Sequence, residues 1–130
     1  PGGLDKGSLA SIAKALRSGD EVTVFGDRTV SPTHVGDAAD ATLALLERQA
    51  EPGTYHLVGT GAATWQEVAE FMARRLGVEP RLRVISLESV TLPARRPKYC
   101  ALANGKLCAA IGYAVPTWQD AVGRYLSIAD

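Results

Sequence analysis

The chain has 130 residues, enough for one domain with a modest core. Lys and Arg total 14 against 14 Asp and Glu, so no net field draws nucleic acid or an anionic membrane surface. No apolar run approaches the roughly 20 residues of a membrane span, and two cysteines are too few for a disulfide framework.

A reduced, cytoplasmic setting is the expectation. Pro1-Gly2-Gly3 reads as loop, and residues 1–130 are expected to be a single fragment of something longer, since the chain opens on Pro rather than Met.

Leu9, Ile12, Ala13 and Leu16 recur at helical spacing, with Ser8 as a possible cap and Gly19 as the stop. Glu21–Phe25 alternates as a strand and Gly26-Asp27 turns it. Residues 29–35 are extended around Pro32. A second helix opens at Gly36-Asp37, where Asp37 is the cap or a first-turn acid. Its apolar stripe is Ala38, Ala41, Leu45 and Leu46, widened by Leu43 and Ala44. Pro52-Gly53 breaks the chain, and residues 54–58 (T-Y-H-L-V) read as a buried strand.

Thr64 and Glu67 fit a capping box for a helix over 64–76 with Trp65, Val68, Ala69, Phe71, Met72 and Leu76 on its buried face. Arg81–Ile85 is the next strand, and residues 86–89 suggest a brief helical turn. Residues 104–111 form a short helix ended by Gly112-Tyr113. Pro116-Thr117-Trp118 begins the last one, with Ala121, Val122, Tyr125 and Leu126 on one side.

Few residues suggest chemistry. Gly59-Thr60-Gly61-Ala62-Ala63-Thr64 follows a strand and precedes a helix like a truncated dinucleotide loop, but Thr64 stands in place of the third glycine and belongs to the cap. His34 and His56 lack metal-like neighbours, Cys100 and Cys108 read as buried thiols, and Asp37 with Asp40 makes a weak acid–base pair. No catalytic or metal-binding residue is expected. Arg95-Arg96-Pro97 stands out, because Pro97 biases Arg96 toward an extended, presented conformation. It is either a pair of solvated loop arginines or a clamp for phosphate or carboxylate.

Several blocks resemble family motifs in order. Val24-Phe25-Gly26-Asp27 with Ser31-Pro32-Thr33 resembles a D-Q-x-G-S-P-T element, and His34-Val35-Gly36-Asp37 an H-V-x-D helix start. Residues 54–59 with Thr64-Trp65 resemble Y-H-L-x-G…T-S-W. Ala94-Arg95-Arg96-Pro97 through Lys106-Leu107 resembles A-R-R-P-x-x-S-x-L-x-x-x-K-L, and Trp118 to Ala121 resembles W-x-x-A. Together they are similar to the C-terminal half of extended short-chain dehydrogenases/reductases acting on nucleotide sugars, above all the dTDP-4-dehydrorhamnose reductase family.

The resemblance implies an α/β fold: the C-terminal portion of a Rossmann-type extended short-chain dehydrogenase/reductase, without its N-terminal nucleotide-binding half. It implies a nucleotide-sugar site in which Arg96, beside Arg95, contacts phosphate, Ser31, Pro32 and Thr33 line the sugar side, and Trp65 packs nearby. NADP(H) would be held by an upstream glycine loop and a Y-x-x-x-K pair. Tyr55, Tyr99, Tyr113 and Tyr125 all lack the lysine four residues on, so this chain alone is expected to bind no cofactor and transfer no hydride. Arg28 replaces the family's Gln, Val30 its Gly and Cys100 its Ser. The expected partners are a nucleotide sugar, the missing half or a second copy, with no nucleic acid and no membrane. Another nucleotide-sugar epimerase or dehydratase, a non-catalytic regulatory protein on the same scaffold, and a plain interaction module are the alternatives.

Overall fold

The structure, a computed structural model, describes residues 7–128. Pro1-Gly2-Gly3 lies outside them. The described chain runs α1 (Ser8–Ser18), β1 (Glu21–Phe25), β2 (Thr29–Val30), α2 (Val35–Glu47), β3 (Ala63–Thr64), α3 (Trp65–Leu76), β4 (Arg81–Ile85), a 3-10 turn (Leu87–Ser89), α4 (Gly105–Ile111) and α5 (Trp118–Ile128). β1 and β4 pair in parallel, Glu21 opposite Arg81 through Phe25 opposite Ile85. A parallel pair needs a long crossover, and the segment carrying α2 and α3 provides it. β2 pairs antiparallel with β3.

Two apolar clusters hold the elements. The larger joins α1, β1, α3 and α5 through Ile12, Leu16, Val22, Val24, Met72 and Val122, and Val68 and Met72 are fully enclosed. Phe71 meets Trp118 edge-on with ring centroids 5.3 Å apart. The smaller cluster packs Ala41 of α2 on Leu107 and Ile111 of α4, with Val115 beneath and Tyr55 and Leu57 at its margin.

The helix starts differ in instructive ways. α3 carries the full capping box: Thr64 Oγ1 accepts from Glu67 N–H at 3.2 Å, and Glu67 Oε2 accepts from Thr64 N–H at 2.7 Å. Ser8 does not cap α1; Gly7 takes that position and no side chain bonds there. Asp37 does not cap α2 either. His34 does, its Nδ1 accepting from Gly36 N–H at 3.0 Å, while Asp37 lies buried in the first turn.

Three packing expectations need correction. Residues 54–58 form no strand: the segment is unpaired, with Thr54 and His56 exposed and Tyr55, Leu57 and Val58 half-buried, because the described residues offer no neighbouring strand. Lys106 Nζ instead donates to Thr54 O at 2.8 Å and lies 4.5 Å from the Tyr55 ring centroid. α2 buries Ala41 toward α4 and Asp37 in its first turn, which leaves Leu43 56% and Leu46 70% exposed. Cys100 and Cys108 are half-buried rather than enclosed, and Cys100 sits on an extended segment beside β2. Among the described residues no helix is long and apolar enough to cross a membrane, and no group of side chains could hold a metal ion.

Candidate functional site

The Arg95-Arg96-Pro97 loop is tied down on both sides by one carboxylate, Asp27, in the turn after β1. Before the loop, Ser86 Oγ donates to Asp27 Oδ2 at 2.7 Å and Leu87 N–H donates to Oδ1 at 2.9 Å. After it, Lys98 Nζ lies 3.4 Å from Asp27 Oδ2 and 2.7 Å from Glu88 Oε1. The main chain completes the clip: Thr29 N–H donates to Lys98 O at 2.7 Å, and Cys100 N–H donates to Thr29 O at 2.8 Å.

The clip is electrostatically coherent. The Ser86 hydroxyl and then the Leu87 amide hold the Asp27 carboxyl below the usual carboxylate range, with Lys98 adding to this and desolvation opposing it. Glu88, then Asp27, raises the Lys98 ammonium above its ordinary value. Both groups face solvent, so the coupling is screened.

Between the 3-10 turn and the loop lies a cavity of about 700 Å³. Leu87, Val90 and Leu92 form an apolar wall, and Arg95, Arg96 and Lys98 bring the positive charge. Glu88 and Asp27 are both spent on Lys98. Arg95 and Arg96 are exposed and pair with no carboxylate among the described residues. An apolar wall facing two uncommitted guanidiniums suits a ligand with a ring at one end and an oxyanion at the other.

The other residues singled out from the sequence lie outside this cavity. Trp65 borders a second cavity of about 440 Å³ with Arg28. Pro32 and Thr33 border a third, of about 200 Å³, against α5. Ser31 Oγ donates to Gly61 O at 3.0 Å, and Thr33 Oγ1 donates to Ser31 O at 3.0 Å while accepting from Gly59 N–H at 2.8 Å. Each hydroxyl therefore has its single proton committed to the main chain. The sequence reading missed Asp27 and Lys98 as the frame of the loop. A carboxylate in a turn was visible, but its partners stand 59 and 60 positions away.

The glycine segment does not fit a dinucleotide. Two of its amides are already used: Gly59 N–H donates to Thr33 Oγ1, and Thr60 N–H donates to Pro116 O at 3.0 Å. A Cβ at Gly59 would stand 2.5 Å from Pro32 O, so this glycine serves close packing. Gly61, at φ +92°, lies against the Trp118 ring.

The chain matches the family described as RmlD substrate binding domain over residues 2–130. The dTDP-4-dehydrorhamnose reductase of Streptomyces griseus is 34% identical over 119 residues, 85% of this chain and 39% of that protein. The spore coat polysaccharide biosynthesis protein SpsK of Bacillus subtilis is 28% identical over 118 residues, 91% of this chain and 41% of that protein.

Among solved structures, dTDP-4-dehydrorhamnose reductase from Bacillus anthracis in complex with NADP superposes with a TM-score of 0.81 at 24% identity, covering 95% of this chain and 44% of that one. An ortholog from Clostridium acetobutylicum gives 0.83 at 22% identity, with the same coverage. The α/β architecture is thus a partial extended short-chain dehydrogenase/reductase fold. The chain spans about two-fifths of the length of the curated relatives it matches. It belongs to the RmlD substrate binding domain family.

Proposed function

We propose that this chain is the nucleotide-sugar-binding part of an NADP(H)-dependent enzyme resembling dTDP-4-dehydrorhamnose reductase, and that it transfers no hydride by itself. The observation that carries the reading is the Arg95-Arg96 pair, which pairs with no carboxylate among the described residues and lines one cavity together with an apolar wall. Arg96 grips the diphosphate as a planar fork, Arg95 assists, and the wall of Leu87, Val90 and Leu92 covers the ring. Ser31, Pro32 and Thr33 belong to the sugar side, where the hydroxyls offer lone pairs rather than protons. Trp65 stands at the far margin. Reduction then falls to residues outside this chain, together with the cofactor. What supports that division is that the glycine segment here is spent on packing.

The test is titration calorimetry of thymidine diphosphate and its glucose ester into the chain and into Arg96→Ala. Charge-assisted hydrogen bonds contribute about 1.5–3 kcal/mol each, so Arg96→Ala is expected to weaken binding by roughly ten- to a hundredfold. Equal affinity in the variant, or no binding to the parent chain, overturns the reading.

A further inference from the structure

We propose, resting on the nucleotide-sugar reading of the Arg95-Arg96 loop, that Asp27 is a positioning residue for that anion site, closing the neck of the loop. Asp27 does not line the cavity, and so acts on a ligand only through other residues. Among the described residues, 90–96 take part in no hydrogen bond or ion pair. Their placement is inherited from the two ends of the loop.

The main chain attaches those ends: Gly26 N–H donates to Ile85 O at 3.0 Å, and Thr29 N–H donates to Lys98 O at 2.7 Å. Asp27 stands between the two attachments and joins what they leave apart. Its Oδ1 accepts from Leu87 N–H, and its Oδ2 faces both Ser86 Oγ and Lys98 Nζ. One carboxylate thus crosslinks the first residue of the apolar wall to the residue after Pro97. A loop closed at its neck has less conformational freedom to lose when a ligand fixes its guanidiniums.

Charge alone argues the other way. Asp27 is an anion near an anion site, and it holds Lys98 back from that site together with Glu88. By Coulomb attraction only, removing Asp27 would tighten the binding of a diphosphate. Exposed charges are screened over about 8 Å at physiological ionic strength, so under those conditions the loss of positioning is expected to win. The sign of the change therefore separates a positioning residue from a bystander charge.

The experiment titrates thymidine diphosphate into the unaltered chain, Asp27→Ala and Arg96→Ala by calorimetry at physiological ionic strength. Backbone order parameters of Arg95 and Arg96 are measured alongside by nuclear magnetic resonance. Asp27→Ala is expected to weaken binding by roughly three- to tenfold, part of what Arg96→Ala removes, and to lower both order parameters. Unchanged or tighter binding overturns the proposal, as does weaker binding with the order parameters unchanged. Weaker binding in Arg96→Ala but not in Asp27→Ala removes this inference alone. No binding to the unaltered chain, or equal binding by Arg96→Ala, removes the nucleotide-sugar reading and this inference with it. Should Asp27→Ala fail to fold, Asp27→Asn decides, since it keeps an acceptor for the Leu87 amide but no charge for Lys98: weaker binding supports the proposal, and unchanged or tighter binding overturns it.

Discussion

Arg124 Nη2 donates to Asp37 Oδ2 at 2.5 Å, joining α5 to the first turn of α2 across 87 positions of sequence. Its Nε donates to Asp120 Oδ1 at 2.6 Å, one turn back along α5. Asp37 is only 8% exposed, so the guanidinium neutralises a charge that burial would otherwise penalise. Asp37, and after it Asp120, raises the Arg124 guanidinium further above its already high value. The carboxylate also sits at the positive end of α2.

Removing the cation while leaving the buried carboxylate should cost stability. Fully buried pairs lose about 3–5 kcal/mol when one partner is deleted, but the Arg124 side chain is 38% exposed, and solvent screening lowers the expectation to about 1–3 kcal/mol. Arg124→Ala should therefore shift the urea midpoint down, and Asp120→Ala should shift it much less. Equal shifts would mean that the Asp37 contact adds nothing.

The clip on the arginine loop should be pH-sensitive. The Asp27 carboxyl is depressed in the folded chain, so its contribution is complete above about pH 4, the ordinary carboxylate value. That contribution disappears as pH falls through the folded value. The Lys98 ammonium is raised, so its contribution is complete below about pH 10 and is lost as pH rises through the folded value. The Leu87 amide resonance, whose N–H donates to Asp27, should move on acidification below pH 4. In Asp27→Asn that acid transition should be missing.

The capping box gives a local prediction. Thr64→Ala removes the acceptor for the Glu67 amide and should lower stability by about 1 kcal/mol. Glu67→Gln keeps a side-chain acceptor for Thr64 N–H and should cost less. Thermal unfolding of the two variants checks the order.

Surface left uncovered should make the chain associate. Residues 54–58 run unpaired, and Val35, Leu43 and Leu46 of α2 are 80%, 56% and 70% exposed. Open extended edges and apolar helix faces recruit partners. Sedimentation velocity should show concentration-dependent association that Leu43→Glu with Leu46→Glu reduces. A monomer at every concentration in the unaltered chain would refute this.

What the sequence determined by itself is mostly local. The apolar spacing in α1, α3 and α5, the alternation in β1 and β4, the Thr64–Glu67 box and the turn after β4 all depend on neighbours within about four residues. The presentation of Arg95 and Arg96 from a loop was legible for the same reason, since Pro97 acts on its own neighbour.

Tertiary structure alone decided the rest. It exposed Leu43 and Leu46 and turned Asp37 inward toward Arg124. It also tied Asp27 to Ser86 and Lys98. A side chain's propensity is set by its own turn of helix or strand. Its burial and its hydrogen-bond partner are set by whatever the chain brings back against it, here from 59 to 87 positions away.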